Sequence, residues 1–402
     1  MNLKKLFCGK KEEVVCVLSI GSSSVGGILI LNRNERNGEE YKPEILVSVR
    51  VPINFLMKIN YSSFLKFASN SVDDVLKQLL KEHPKGVDKV FCFFSSPWFV
   101  SQARIISVKR KEVFNIDKSF LDELIQREKK IFYSQWRSRQ KISRGEPEFI
   151  ESEMIRVDLN GYRVNRLLGK KARTLEMYVY MSLGIKKLNE FVREIVLKNF
   201  GSVDLIFNTL PYASFSVFRD TLNINTEDGF IFVDFGGEVS DISLVRRGVL
   251  EEVISFPCGK NSIFRKIAEE FKVSISEARS LLKIFESKDM KQPDAVKISS
   301  IIDLIREDWQ RCLSDALIEI AHNEPLPQSL FFISNKKMDS SLINYLSGES
   351  LSGFTILGKP FAVSHVFPQG LKDYFSLAKI SEEDKDVFLM IESLFTVNTK
   401  HV

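Results

Sequence analysis

Val14-Val15-Cys16-Val17-Leu18-Ser19-Ile20, followed by Gly21-Ser22-Ser23-Ser24 and then Val25-Gly26-Gly27-Ile28-Leu29-Ile30-Leu31, is an apolar run, a turn of small residues and a second apolar run. Both runs are of strand length and rich in β-branched residues, so they read as a buried strand and its returning neighbour. A polar turn over Asn32 to Glu40 leads into a third strand around Ile45 to Val51. The same order recurs downstream as Phe230-Ile231-Phe232-Val233-Asp234, Gly236-Gly237-Glu238, Asp241 to Val245, the turn Arg246-Arg247-Gly248 and a strand over Val249 to Phe256. Helical spacing follows each unit, through Phe64, Phe67, Ala68, Val72, Val75, Leu76 and Leu79 in the first and Ile263, Ile267 and Phe271 in the second. The expectation is a duplicated α/β domain whose longest helix covers Ile298 to Ala321.

Between the units the pattern changes. Strands near Val90 to Phe94 and Arg104 to Val108 precede a helix from Lys118 to about Gln135, and Ile150 to Val164 and Thr174 to Ser182 read as further strands. The charged stretch Ser138 to Glu148, with Gly145 and Pro147, reads as an exposed loop. This is an inserted small α+β module.

With 402 residues and 44% hydrophobic composition, the chain is long and apolar enough for several packed domains. The net charge of +5 is scattered in short runs such as Lys109-Arg110-Lys111, so no cationic face points to nucleic acid. Cysteines 8, 16, 92, 258 and 312 form no CxxC pair, and their odd, dispersed count suits a reducing compartment without disulfides. His83, His322, His365 and His401 have no ligand-spaced neighbours, which argues against zinc. No stretch approaches the ~20 apolar residues of a membrane span, and the leader Met1 to Lys11 lacks a following signal-like segment. A cytoplasmic protein, held at a membrane through a partner, is the expectation.

A glycine turn between strands can wrap a phosphate, because glycine lets successive N–H groups aim at one oxygen cluster and lets the ligand approach. Both turns qualify. Gly21-Ser22-Ser23-Ser24 adds hydroxyl donors, and Asp234 to Asp241 adds two carboxylates able to hold magnesium through water. Gly21 and Gly26 have the glycine spacing of a Walker loop, but Gly27-Ile28 stands where Lys and Ser or Thr are required, and a strand follows where a helix is needed. No dinucleotide fingerprint and no serine elbow is present.

With one phosphate turn in each half and a module inserted between them, the chain resembles the actin, sugar kinase and heat-shock chaperone superfamily, and within it the PilM-like and FtsA-like families. The motifs are Ile20-Gly21-Ser22-Ser23-Ser24-Val25 after a basic leader, Val233-Asp234-Phe235-Gly236-Gly237-Glu238-Val239-Ser240-Asp241-Ile242, and Phe256-Pro257-Cys258-Gly259-Lys260-Asn261 with Ser276-Glu277-Ala278. The resemblance implies an actin-like ATPase fold of duplicated ribonuclease-H-like domains with an inserted strand-helix-strand-strand subdomain. It divides the chain into 13–86 with 185–202 and 365–396, an insert at 87–184, and 203–364 with a helical part at 253–324. It implies nucleotide contacts from Gly21, Ser22, Ser23, Ser24, Asp234, Gly236, Gly237, Glu238, Asp241, Gly259 and Ser334, and magnesium on Asp234 and Asp241.

Departures from the family pattern decide how much activity follows. Ser19 stands where the first motif usually has Asp, and Val25-Gly26-Gly27 where a Lys usually follows the serines; the adenosine glycine pair falls on Ser334-Asn335. The residues that would touch ribose are replaced by Arg279 and Leu282. Weak ATP and Mg2+ binding with little or no hydrolysis is therefore expected, since phosphoryl transfer depends on positioned metal and positive charge. Val387 to Phe395 reads as the last domain helix, leaving Thr396 to Val402 and no FtsA-like membrane helix. The PilM-like reading makes the chain a scaffold that grips the cytoplasmic peptide of an integral inner-membrane protein, with self-association left open. Its groove is placed near Ser95 to Val100, with Trp98 and Phe99 either as contact surface or as cement of the junction. The alternatives are an FtsA-like division protein and an active ATPase or phosphoryl transferase.

Overall fold

The computed structural model describes residues 12–33, 42–54, 61–139, 145–335, 340–376 and 385–398. The first unit is the hairpin of β1 (Glu12–Ile20) and β2 (Ser24–Arg33), with Ile20 opposite Val25, followed by β3 (Glu44–Pro52). Helix α1 (Tyr61–Glu82) leads to β4 (Lys89–Phe94). The inserted module follows, with β5 (Phe99–Asn115), α2 (Lys118–Arg139), β6 (Pro147–Leu159), β7 (Tyr162–Arg163) and β8 (Lys171–Ile185). Helix α3 (Lys186–Phe200), β9 (Asp204–Thr209) and α4 (Leu210–Asp220) lead to the second unit, β10 (Phe230–Phe235), β11 (Ser240–Arg246) and β12 (Val249–Phe256). Helices α5 (Asn261–Phe271), α6 (Ile275–Glu286) and α7 (Gln292–Ala321) precede β13 (Ser329–Ile333), α8 (Ser340–Leu346), β14 (Ala362–Val366), α9 (Pro368–Leu371) and α10 (Val387–Asn398).

Three sheets result, ordered β3-β2-β1-β4-β9, β12-β11-β10-β13-β14 and β5-β8-β6-β7. The first two are one topology drawn twice: an antiparallel meander of three strands, then two parallel strands laid against the first strand of the meander. Duplicated ribonuclease-H-like halves with an inserted α+β module are thus the architecture.

Continuous apolar runs become central strands because both faces are covered. Along β1, Val15 and Val17 enter one core, while Cys16, Leu18 and Ile20 enter another under α1 and α3. The first core is shared between the halves: Phe91 and Phe93 of β4 meet Phe230 and Phe232 of β10 through Phe215 and Phe218 of α4 and Leu389, Ile391 and Phe395 of α10. Helix α10 is therefore buried all round rather than amphipathic. Helices α5, α6 and α7 close a separate small core around Ile267, Ala278 and Ile298.

Some of the sequence-based boundaries shift. Val90 to Phe94 belongs to the first sheet, where β4 pairs in parallel with β1 from Val15–Lys89 to Ile20–Phe94, and not to the inserted module. Strand β9, beyond the boundary at 203, also joins that sheet, beside β4. Strand β14 straddles the boundary at 365 and pairs with β13 in the second sheet. Parallel pairing has no local turn to announce it, so neighbours in sequence mislead. Helix α7 begins at Gln292 instead of Ile298, with Pro293 in its first turn. Cys258, after β12, and Cys312, on α7, are brought side by side, with Cα atoms 6.8 Å apart. The leader Met1 to Lys11 and most of the polar turn Asn32 to Glu40 lie outside the described residues, as do 140–144 of the expected loop.

Candidate functional site

The two glycine turns meet. Gly21 N–H donates to the Ser24 carbonyl at 3.1 Å, closing the first turn, and the Glu238 N–H of the second donates to Ser22 Oγ at 2.8 Å. Gly237 faces the first turn so closely that a Cβ there would stand 2.5 Å from Ser23 Cβ and 2.8 Å from the Ser23 nitrogen. The second turn is itself wrapped by the segment after β12. Lys260 and Asn261 N–H donate to the Gly236 and Gly237 carbonyls at 3.1 and 2.8 Å, and Gly259 packs on the Gly237 carbonyl, where no side chain fits.

Gly21, Ser22, Ser23, Ser24, Asp234, Gly236, Gly237 and Asp241 all line one cavity, as their spacing suggests, but it measures only about 40 Å³. Ligand pockets are usually about 300–1,000 Å³, so the site residues as arranged do not fit a nucleoside triphosphate. Glu238 does not face the cavity: Arg265 grips its carboxylate as a fork and Asn261 Nδ2 donates to Oε1 at 2.8 Å. Ser334, at the end of β13, lies outside the cavity lining with its Oγ 2.8 Å from His365 Nε2. Asn335 binds α10, donating to Asp386 Oδ2 at 2.8 Å and accepting from the Val387 N–H at 2.7 Å. A second cavity of about 130 Å³, beside Phe235, is walled by Ile263, Ile302, Ile305 and Trp309 and has Arg306 as its one polar side chain.

The charges missing from the first motif are supplied from other elements. Glu392 of α10 accepts from Ser19 Oγ at 2.9 Å, and Arg50 of β3 lays its guanidinium over Gly26, donating to Ser24 Oγ at 2.9 Å. Arg50 is also paired with Asp386, whose other oxygen caps α10 by accepting from the Phe388 and Leu389 N–H groups at 3.0 and 3.1 Å. Sequence reading missed all three, because each arrives from far along the chain.

Asp234 and Asp241 stand directly opposite one another on β10 and β11. Burial, and then the neighbouring Asp241, pushes Asp234 up to about 7. Burial raises Asp241 too, against donation from Ser255 Oγ at 2.6 Å. Glu392, fully buried, is raised well above the usual carboxylate range by desolvation. These shifts are what a desolvated acidic cluster must show, since like charges out of water resist joint ionisation. Asp234 Oδ1, Glu392 Oε2 and Arg50 Nη2 are buried with no hydrogen-bond partner. Among the described residues no group of three or more His, Cys, Asp or Glu side chains is arranged to hold a metal ion.

Trp98 and Phe99 are not surface. Trp98 is 1% exposed, stacks on Phe64 with ring centroids 4.5 Å apart, and donates its indole N–H to the Gly21 carbonyl at 2.7 Å. Phe99 is buried in the same core. Together with the Ser95 N–H, which donates to the Ile20 carbonyl at 3.1 Å, they brace the first turn from behind. The sequence-based contact surface becomes cement, for the reason that a large aromatic beside a central strand end gains more from burial than from exposure.

Sheet order, duplicated halves and facing turns define the fold of the actin-like ATPases. The chain matches no protein-family model and no curated protein. Among solved structures it is similar to a chain of the PilM-PilN type IV pilus biogenesis complex, with a TM-score of 0.63 and 14% identity over 98% of this chain and 99% of that one. It is also similar to the ethanolamine utilization protein EutJ from Carboxydothermus hydrogenoformans (TM-score 0.41, 12% identity, 89% and 85% covered). A Bacteroides thetaiotaomicron protein with actin-like ATPase fold and unknown function gives a TM-score of 0.37 at 9% identity, with 96% of each chain covered. The first likeness establishes the fold over the whole chain; the other two are too distant to add to it.

Proposed function

We propose that this chain is an actin-fold scaffold on the cytoplasmic face of a bacterial inner membrane, recruited there by the cytoplasmic peptide of an integral component of a type IV pilus or related secretion machine. The observation that carries the reading is the direct contact of the two phosphate turns, Glu238 N–H on Ser22 Oγ at 2.8 Å around a cavity of about 40 Å³. A hydrolase needs a triphosphate seated between those turns, with metal and free positive charge at its transferring group. Here Arg50 is already paired with Asp386 and Glu392 is hydrogen-bonded to Ser19. Nucleotide, if it enters, acts on conformation rather than chemistry. Among the described residues no helix is long and apolar enough to cross a membrane.

Two measurements test this with the purified chain. Phosphate release from ATP with magnesium should stay at background and calorimetry should find weak binding; clear turnover with submicromolar affinity restores the enzyme reading. Sedimentation with protease-treated and untreated native inner-membrane vesicles, beside liposomes of the same lipids, should find the chain only with untreated vesicles. Equal binding to bare liposomes overturns recruitment by a protein partner.

A further inference from the structure

Along the chain the basic residues come in short separate runs, but folding brings two of these runs to one place. Strands β5 and β8 pair antiparallel from Phe99–Gly184, beside the first half, to Asn115–Lys171 at the far end of the inserted module. Between Lys109 and Phe114 the register shifts, so Arg110 to Val113 are left out of the ladder. The loop before β8 is tied to the same end: Ile116 N–H donates to the Lys170 carbonyl and Gly169 N–H to the Ile116 carbonyl, both at 2.9 Å. Residues 109–118 and 166–173 therefore form one tip.

That tip is strongly cationic. Strand β5 brings Lys109, Arg110 and Lys111, and α2 opens with Lys118; the loop and the start of β8 add Arg166, Lys170, Lys171 and Arg173, all of them exposed. Against these eight the two stretches hold two carboxylates, Glu112 and Asp117, and Asp117 already caps α2 by accepting from the Phe120 N–H at 2.9 Å. The surplus of six exceeds the +5 of the whole chain, so the remainder is close to neutral. Asp122, Glu123 and Glu176 stand further back along α2 and β8. Arginines elsewhere in the module are matched, Arg104 by Glu128, Arg156 by Asp158 and Arg163 by Glu227, whereas among the described residues none of the eight is held in an ion pair. Arg110 is steadied by the rings of Phe114 and Phe120, at 5.0 and 5.3 Å. Two aliphatic side chains stand exposed among these cations, Val113 at 53% and Leu168 at 62%.

We infer that this tip docks on an anionic lipid bilayer. Each Lys or Arg brought up to anionic headgroups strengthens attachment about fivefold, and Val113 and Leu168 enter the acyl boundary, where they leave water. The aliphatic pair favours lipid over a nucleic acid, whose backbone would give it nothing to be buried against. The inference rests on the scaffold reading and adds to it. A basic patch alone attaches reversibly and a stable anchor takes two signals, so the tip orients on the membrane a chain that its partner recruits.

The test sediments the full chain with sucrose-loaded vesicles of phosphatidylcholine, alone or mixed equally with phosphatidylglycerol. In low salt the mixed vesicles should bind the chain at least about tenfold more tightly than phosphatidylcholine does, and about 0.5 M salt should release it. The variant Lys109→Glu/Lys111→Glu/Lys170→Glu/Lys171→Glu should weaken binding by about a hundredfold or more, with melting temperature unchanged because all four positions are exposed. Val113→Ser/Leu168→Ser should weaken it about tenfold and leave its salt dependence unchanged. A chain that ignores phosphatidylglycerol, or whose binding survives the quadruple variant, overturns the inference. Binding indifferent to the Val113 and Leu168 substitutions, or an equal affinity for a single-stranded oligonucleotide or polyglutamate at the same salt, makes the tip a general polyanion site and overturns the lipid assignment. The scaffold reading is tested apart, on untreated inner-membrane vesicles at physiological salt, where failure of the parent chain to bind sinks that reading whatever the phosphatidylglycerol vesicles show.

Discussion

Glu151 of β6 holds the inserted module to the first half, and its titration should be visible in stability. Its carboxylate is buried and accepts from the Thr209 N–H at 2.9 Å and Asn208 Nδ2 at 3.1 Å on one oxygen, and from Ser182 Oγ at 2.9 Å and Thr209 Oγ1 at 2.7 Å on the other. Those donors favour the ionised form, but burial is the larger effect and lifts the group from 4.5 to about 7. A raised carboxyl binds more protons in the folded chain than in the unfolded one, so its stabilisation is complete below 4.5 and is lost as pH rises through 7. At roughly 1.4 kcal/mol for each unit, the loss comes to about 3 kcal/mol. Glu151→Gln cannot ionise, and the hydroxyls of Ser182 and Thr209 can turn to accept from its amide, so it should cost about 1 kcal/mol at low pH. Denaturant unfolding of both proteins at about pH 4.5 and about pH 8.5 should show their stability difference moving by about 3 kcal/mol in favour of the variant. Taking the difference removes the parallel contributions of Asp234, Asp241 and Glu392, which the two proteins share. A difference that does not change with pH would refute the assignment of desolvation as the dominant cause. Glu151→Ala, which strands every one of those donors, should lose about 3 kcal/mol or more at any pH.

Gly237→Ala drives a methyl group into Ser22 and Ser23, so it should cost about 1–3 kcal/mol and widen the cleft. Thermal melting and small-angle scattering should show a lower Tm and a larger radius of gyration, and an unchanged radius would mean that the turns do not hold the halves together. Trp98→Ala should lower stability by about 3–5 kcal/mol, as for a buried aromatic, and Trp98→Phe should lose less because it keeps the stack on Phe64 while giving up only the hydrogen bond to Gly21. A melting temperature unmoved by Trp98→Ala would return that residue to the surface.

How much of this was written legibly in the chain depends on the range of the interaction. The hairpins β1–β2 and β10–β11 declare themselves because strand period and glycine turn are local, and the register that brings Asp234 opposite Asp241 follows from the turn between them. Helices α1, α7 and α10 are legible through their apolar stripes or runs. The places of β4, β9 and β14 are not, since a parallel strand pairs with whatever the crossover delivers. In the site, Gly21 to Ser24 and Asp234 to Gly237 are found by pattern, whereas Arg50, Asp386 and Glu392 are invisible to it. Arg50 and Asp386 are separated by 336 positions, Ser19 and Glu392 by 373, and no local periodicity encodes such meetings.

The charges around the first turn carry the last step of the argument. Ser19 and Gly26 read as an acid and a cation lost, yet Glu392 sits against Ser19 and Arg50 over Gly26, so both charge types are present in space. Each already has a partner within the chain. Arg50 is matched by Asp386, and Glu392, hydrogen-bonded to Ser19, is pushed well above the usual carboxylate range by burial. An active transferase requires the reverse arrangement, with an ionised acid to position metal and a cation with spare donors aimed at a phosphate. The pairs also act mechanically. Asp386 caps α10, binds Arg50 of the first half and receives Asn335 from the end of β13 in the second, so one carboxylate ties both halves to the helix between them. A partly buried ion pair of this kind is weak evidence for stability and stronger evidence for a fixed geometry.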